Sequence, residues 1–448
     1  MTAAGPTHGE DLLGTCDKVL ALVGDRAEAG VTVTSGRSGL TRFANSHIHQ
    51  NVAESGQWAR LKVVVDGRQA TTSTSRLATG LNSLVERALE AAELRSPDPH
   101  WPGLAPPVPA PVPDPTRFDE ATMLAAPDTR AEVVGSFVAE GPGLEAAGYC
   151  ETGGWDVAFA NSAGQRLWAP SSRAVVEGIH RTAGADGSGQ QIAPRISEID
   201  GAAAGRRAAD KARRGDTAVE VEPGSWEVVL EPACVVDMLD FLTGQGFNAK
   251  HHAEGQSFVR LGETQFDPSV TIFDDANDPR ALGYPFDAEG TPRRRLDLVR
   301  SGVSLALAYD RRTAALAGRK STGHAVPGGE IAGPIPTNVF LEPGSRTPDD
   351  LIASVERGLL ITEFWYTRIL DPKTQVVTGL TRNGTFLIEN GRVTSGVRNL
   401  RFTQSYAEAL APGNVLGIGN DGRLAGELQF FAPSVHLRSW NFTGGARG

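Results

Sequence analysis

Two short runs carry side chains able to bind a metal or move a proton. His47 and His49 flank Ile48, so on a strand both imidazoles face one side, an arrangement compatible with a metal ion. His251, His252 and Glu254 form the second run. Neither run belongs to an HExxH motif. Exposed polar loop or strand positions therefore account for both runs better than ligands do. Asp274, Asp275, Asp278 and Asp287 could meet a hard cation, but they lack EF-hand spacing and better suit Asx turns. Gly417-Ile418-Gly419-Asn420-Asp421-Gly422 has the GxGxxG form, yet the residues after Gly422 read as strand where a dinucleotide site needs a helix. Arg319 splits the Gly-Lys pair that a phosphate-binding loop would need, and no GxSxG elbow occurs. No self-sufficient catalytic motif remains.

The elements that would position these groups follow from periodicity. Residues 9–29 and 75–95 read as helices, the second with Leu77, Leu81, Leu84, Val85, Ala88, Leu89 and Ala92 at helical spacing. Val31–Thr34, Leu40–Ala44 and Ala59–Val65 read as strands separated by Gly and Ser turns. Nine prolines between Pro97 and Pro115 exclude both helix and central strand there and predict an extended connector. Beyond it, a helix near 129–139 precedes strands at Ala147–Cys150, Trp155–Asn161 and Gln165–Trp168. A further helix spans about Ser197–Arg214, its basic residues toward the C-terminal end, where the helix dipole favours them. From Ser225 short strands dominate: Trp226–Leu230, Val270–Phe273, Leu305–Tyr309, Thr337–Leu341, Thr385–Ile388 and Leu428–Phe431. Helices are expected at Pro348–Arg357 and Tyr406–Ala409. The expectation is an α+β chain: an N-terminal α/β layered domain in two parts (1–96 and 116–222) joined by the connector 97–115, then a β-rich domain over 223–448.

Composition narrows the function. A length of 448 residues implies more than one domain, and a net charge of −10 argues against nucleic acid or an anionic membrane as partner. Cys16, Cys150 and Cys234 stand far apart, with no CxxC pair, so neither a disulfide framework nor a cysteine-rich metal site is expected. Met1–Glu10 has no basic start and no apolar stretch, and no apolar run is long enough to cross a bilayer. A cytoplasmic protein is expected.

Arg42-Phe43-Ala44-Asn45-Ser46, with Ile48 and Gln50, resembles the N-terminal signature of the TldD/PmbA metalloprotease family, and Asn161-Ser162-Ala163-Gly164 its second element. Pro285 to Pro292, continuing through Leu298 to Val303, is similar to a third. Ser321-Thr322-Gly323-His324-Ala325, Pro336-Thr337-Asn338, Leu341 to Gly344, Glu356 to Leu359 and Leu387 to Gly391 follow in family order. The resemblance implies a catalytic TldD subunit with an HExxxH helix, two histidines on zinc, a glutamate base and a late cysteine ligand. Here that motif falls on Asp240, Phe241, Leu242, Thr243, Gly244 and Gln245, and no cysteine follows Cys234. The chain therefore resembles the TldE/PmbA-like partner: no catalytic or metal-binding residue of its own, and zinc expected in a TldD-like subunit with which it forms a heterodimer cleaving unfolded or small peptides. Asn45, Ser46, Ser321, Thr322, Gly323 and His324 are the candidate peptide-channel residues. Two other readings stay open: a stand-alone peptide-tailoring enzyme using His47, His49, His251 or His252, and a regulatory peptide-binding protein without proteolysis.

Overall fold

The computed structural model describes residues 7–109 and 115–445. The first helix, α1 (Thr7–Val23), buries Leu12, Cys16, Val19 and Val23 along one stripe. It stops short of the expected residue 29 because Gly24 turns left-handed (φ 56°) and strand β1 (Glu28–Ala44) begins. β1 is one continuous strand where two were expected. Its small middle residues are not turns: a Cβ on Gly36 would run into Trp155, and one on Gly39 into Arg130. Bulky side chains from neighbouring elements lie across the strand there, and glycine makes room for them.

Asn45 (φ 49°) and Ser46 (φ 62°) form a two-residue hairpin turn, with Ala44 paired to His47. Both central residues left-handed is the turn whose twist matches the strands. β2 (His47–Val65) returns along the whole of β1, and β3 (Arg68–Thr74), not expected from sequence, follows on its far side. The helix expected over 75–95 is shorter, α2 (Leu81–Glu93). After the connector come α3 (Glu120–Met123), α4 (Pro127–Ala139), β4 (Glu145–Asn161), β5 (Arg166–Arg181), β6 (Asp186–Ala193) and α5 (Gly201–Gly215), the last capped by Asp200. Like β1, β4 replaces two expected strands with one.

These strands form one antiparallel sheet, β3-β2-β1-β4-β5-β6. Alternation divides its faces. Val31, Val33, Ala59, Leu61, Val63, Ala158 and Ala160 are buried with α1 and α2. Thr41 receives a hydrogen bond from Arg130 of α4, farther along the same face. Gly30, Thr32, Thr34, Trp58, Arg60, Lys62, Val157 and Phe159 point the other way and line a cavity.

The rest of the chain builds two further sheets. The smaller joins Ile272–Asp274 to Leu296–Arg300 and Val339–Leu341, and Val339–Leu341 to Phe430–Ala432. The larger centres on Gly224–Leu230, Arg357–Asp371, Val376–Glu389 and Val435–Gly445. Between them lies α6 (Pro232–Phe241), which buries Cys234, Val235, Val236, Met238 and Leu239 in the largest apolar core of the chain. Strand was expected at Leu305–Tyr309, but the strand there is Val303–Ser304, and within the expected segment Ala308 alone forms a bridge, to Asn248. Leu307, Ala308 and Tyr309 are buried as a loop strapped to Phe247 by the Ala308 amide. The helix expected over Pro348–Arg357 ends at Ala353, because the Val355 and Glu356 carbonyls accept the amides of Gly391 and Asn390 instead. Among the described residues no helix is long and apolar enough to cross a membrane.

Candidate functional site

A cavity of about 560 Å³ lies between the helix-free face of the N-terminal sheet and loops of the C-terminal half. That volume suits a small-molecule or peptide-segment site. Strand pairing orders its floor: Lys62 lies opposite Gly30, Arg60 opposite Thr32, which pairs onward to Phe159, and Trp58 opposite Thr34, which pairs onward to Val157. One end of the floor is cationic and the other is built of tryptophans.

The proline-rich connector closes the cationic end. Residues 94–109 form no helix or strand, and residues 110–114 of the expected connector lie outside the described residues. Arg311 donates to the carbonyls of Gly103 (3.1 Å) and Leu104 (2.9 Å), and Arg312 pairs with Asp98 (2.6 Å). Asn161 donates to Ala105 O (2.8 Å), tying the same stretch to β4. The Lys62 ammonium lies 4.9 Å from the centre of the Trp101 ring, a cation–π distance.

The turn 287–291 forms one wall. The Asp287 carboxylate is fully buried and accepts the amides of Glu289 (2.9 Å), Thr291 (2.8 Å) and Ala325 (3.0 Å), so it shapes the turn and stitches it to the next loop. Glu289 is left facing the cavity, one oxygen accepting the Arg311 amide at 3.0 Å. Burial first, and then the Asp287 charge, push its carboxyl up to about 7. A carboxyl so perturbed inside a cavity is the type of group that marks functional sites.

Behind that wall, His324 Nε2 lies 3.1 Å from Asp274 Oδ1, both side chains fully buried. Asp274 Oδ2 accepts the amides of Thr337 (2.8 Å) and Asn338 (2.6 Å). Burial works to raise the Asp274 pKa, but His324, Arg293 and the Asn338 amide outweigh it and hold the carboxyl below its ordinary range. Arg293 lines the cavity beside this pair. Its Nε and the Thr291 hydroxyl are buried without a hydrogen-bond partner.

Of the sequence-derived candidates, Ser321 to His324 lie against this wall. Ser321 and Thr322 both donate to Tyr309 O at 3.1 Å, and Thr322 Oγ1 sits 2.8 Å from His324 Nδ1, so their polar atoms serve the loop itself. Asn45 and Ser46 are elsewhere. Ser46 binds Ala146 and Leu144 at the hairpin tip, about 35 Å along β1 from Thr34 at the strand rise of extended chain. His47 is exposed with Nδ1 2.7 Å from Asn45 O. The strand pairing steps from Ile48 to Gln50, leaving His49 unpaired, which interrupts the alternation that would align the two rings. His251 Nδ1 rests 3.3 Å from Gln245 O, and His252 and Glu254 are exposed. Among the described residues no three or more His, Cys, Asp or Glu are grouped to hold a metal ion.

The helix where the resemblance lays a zinc motif is a packing helix. Asp240 and Phe241 end α6, and Leu242–Gly246 continues as one π turn. Phe241 packs edge-on against Tyr406 (ring centres 5.8 Å apart). Asp237 accepts from Tyr406 Oη and Thr367 Oγ1, each at 2.7 Å, and burial pushes Asp237 and Asp240 both up to about 6. Cys234 is buried, its thiol held well above the usual range by desolvation and by Glu231. A hydrolytic zinc ion needs neutral imidazoles or thiolates, and this donor set does not fit one.

Sequence reasoning considered Asp287 only as a cation ligand or turn former, gave Glu289 no role, and missed Arg60, Lys62 and Trp101. The signal for the floor was present in 58–63, where Trp58, Arg60 and Lys62 alternate with Ala59, Leu61 and Val63. Nothing local in sequence pointed to Arg293.

Known proteins resemble the chain in both sequence and fold. Residues 223–444 match the family model of the PmbA/TldA metallopeptidase C-terminal domain, and residues 29–92 that of PmbA/TldA metallopeptidase domain 1; together they cover more than half of the chain. A metalloprotease of Methanothermobacter thermautotrophicus is 27% identical over 60% of this chain and 60% of its own length. A metalloprotease TldD homolog of Buchnera aphidicola is 26% identical over 44% of this chain. That match spans 42% of the relative's length, so neither alignment reaches two thirds of the relative it matches. The crystal structure of TldE from Thermococcus kodakarensis superposes with a TM-score of 0.85 over 97% of this chain and 99% of that one, at 18% identity, which speaks to the fold.

Proposed function

The chain belongs to the PmbA/TldA metallopeptidase family, and from that premise we propose that it is a non-catalytic subunit of a zinc peptidase. On this reading it pairs with a TldD-like subunit that carries the zinc and the catalytic residues. It contributes wall and substrate selection to an enclosed channel that admits unfolded or small peptides. The observation that carries the reading is α6 and the π turn after it, where Asp240, Phe241 and Gln245 stand in place of imidazoles and a base, among neighbours buried in apolar core. The 560 Å³ cavity supports a role in holding peptide, with Ser321, Thr322, Gly323 and His324 standing behind its wall and bracing it. Asn45 and Ser46, at the hairpin tip, would meet peptide only in a channel completed by the partner. Three free, buried cysteines accord with work in the cytoplasm.

The test is to purify the chain alone and together with a TldD-like chain encoded beside it. The expected result is peptide hydrolysis and zinc in the pair, and neither in the lone chain. Stoichiometric zinc with hydrolysis by the lone chain overturns the proposal. A His-based stand-alone enzyme is the weaker reading, because His47 and His252 are exposed and His49 is out of register with His47.

A further inference from the structure

We propose that the inner end of the cavity is a carboxylate-binding subsite, where Arg60 and Lys62 hold the C-terminal carboxylate of a peptide whose apolar last residues lie against Trp58 and Trp155. The subsite rests on the peptide reading above and gives that reading a chemical preference.

The cavity holds unspent positive charge, although most charged groups around it are already engaged. Arg311 serves the connector carbonyls, Arg312 holds Asp98, and Lys250 holds Glu254 and the Ile331 carbonyl. Asp287 is filled by three backbone amides, and Asp310 caps the helix Arg311–Leu316. Arg60 is different: it lines the cavity and has neither hydrogen bond nor ion pair among the described residues. Its neighbour on the same face, Lys62, lies over the Trp101 ring and reaches one carboxylate, Glu330, at 3.8 Å, the longest ion pair in this region. Across from them Arg293, 9% exposed, keeps an unpartnered Nε, and the buried Thr291 hydroxyl beside it is unpartnered too. A half-buried guanidinium without an anion is poorly compensated, and a planar carboxylate is the group its fork of donors matches.

Two carboxyls face these cations: Glu330, more than half exposed and 3.8 Å from Lys62, and Glu289, held inside the cavity with one oxygen on the Arg311 amide. An ionised Glu289 would compete with a bound anion. Burial and Asp287 keep its carboxyl titrating near neutrality, so at mildly acid pH it is protonated and can donate to the incoming carboxylate. At the other end, Trp58 is 42% exposed, and Trp155 lies over β1 at Gly36 with Arg173 over its ring, both tryptophans lining the cavity. Inorganic phosphate would satisfy the cations but gain nothing from these rings. A peptide ending in apolar residues uses both.

The experiment is calorimetric titration of the full chain, at about pH 6, where Glu289 is mostly protonated, with an N-acetylated hexapeptide ending in Val-Ala-Leu, as free acid and as C-terminal amide. The free acid is expected to bind about 10-fold or more tightly than the amide, the worth of one charge-assisted contact. Arg60→Gln should erase that difference while leaving amide affinity unchanged. Thr32→Glu, which offers Arg60 an internal anion across the strand pair, should do the same by a different route. Equal binding of acid and amide, retention of the preference in both variants, binding of neither peptide, or inorganic phosphate binding as tightly as the acid overturns the subsite. Peptide hydrolysis by the paired complex with KM unmoved by Arg60→Gln removes the subsite and leaves the subunit reading standing. An acid-over-amide preference in a chain that associates with no catalytic partner does the reverse.

Discussion

Gly290 is seated on the ring of Phe159 so closely that a Cβ there would overlap it, and its backbone is left-handed at φ 75°. Gln165 adds a hydrogen bond from the strand β4–β5 connection to the Gly290 carbonyl at 3.1 Å. This contact fixes the turn carrying Glu289 onto the floor of the N-terminal sheet, so it sets how the two halves of the cavity face each other. Gly290→Ala meets both the conformational penalty and the ring. A loss of about 2–4 kcal/mol is expected in denaturant unfolding, with weaker binding of the peptide acid. An alanine variant as stable as the parent would mean the contact is not tight.

Glu289 gives a pH signature of known sign. Its folded carboxyl, pushed up to about 7, lies above the ordinary glutamate value, so between the two the folded state binds the extra proton. Stability attributable to this group therefore falls as pH rises through that window. Glu289→Gln should leave the melting temperature nearly unchanged below the unfolded value and raise it above pH 7, by an amount equivalent to about 1–3 kcal/mol after allowing for partial exposure. Thermal melts across the window check this, and a variant that loses stability at high pH would show that the carboxylate is compensated in the fold.

Much of the architecture was legible because it rests on local rules. The apolar stripe of α2 and the Tyr406–Ala409 helix follow from spacing and turn chemistry, whereas the helix expected from about Ser197 begins only at Gly201, behind its Asp200 cap. The failures share one cause. Gly36, Gly39, Gly153 and Gly154 looked like turn residues, whereas each lies under a bulky side chain, Trp155, Arg130 or Met123, that only the assembled sheet sets in place. Leu305–Tyr309 reads as strand because it is apolar, yet its backbone partners are Leu298, Phe247 and Thr322, not a neighbouring strand of matching length. The site divides the same way. The turn 287–291 and the segment 321–324 announced themselves as motifs, while Arg60 became a site residue only through the register that sets β2 against β1.

Asp274 and His324 form the most enclosed polar pair behind the cavity wall, and they carry the opposite pH sign. The Asp274 carboxyl titrates below its ordinary value, so its contribution is fully present above the unfolded aspartate pKa and fades as pH falls through the folded one. Asp274→Asn removes the anion facing His324 while still occupying the two amides at 337 and 338. The expected cost is about 3–5 kcal/mol at neutral pH, shrinking on acidification below about pH 4. Urea unfolding at several pH values measures it. A cost that stays constant into acid would show that the loss is one of shape and not of charge.

The three thiols offer a check on how α6 and the sheet are packed. Cys16 and Cys150 are pushed up to about 12, chiefly by burial, and Cys234, on α6 against the strand Arg357–Asp371, is also raised well above its ordinary value. Only the thiolate reacts with a disulfide reagent, and neither its formation nor access is favoured at these positions. The native chain should therefore release none of its three equivalents to an aromatic disulfide at about pH 8, and all three once unfolded. Cys234 is the informative one, because a TldD-like active helix would need an open, polar surrounding at that place. Cys16→Ala with Cys150→Ala isolates it. Rapid modification of Cys234 in the folded double variant would show that α6 opens to solvent, and the packing-helix account of the missing zinc motif would fall with it.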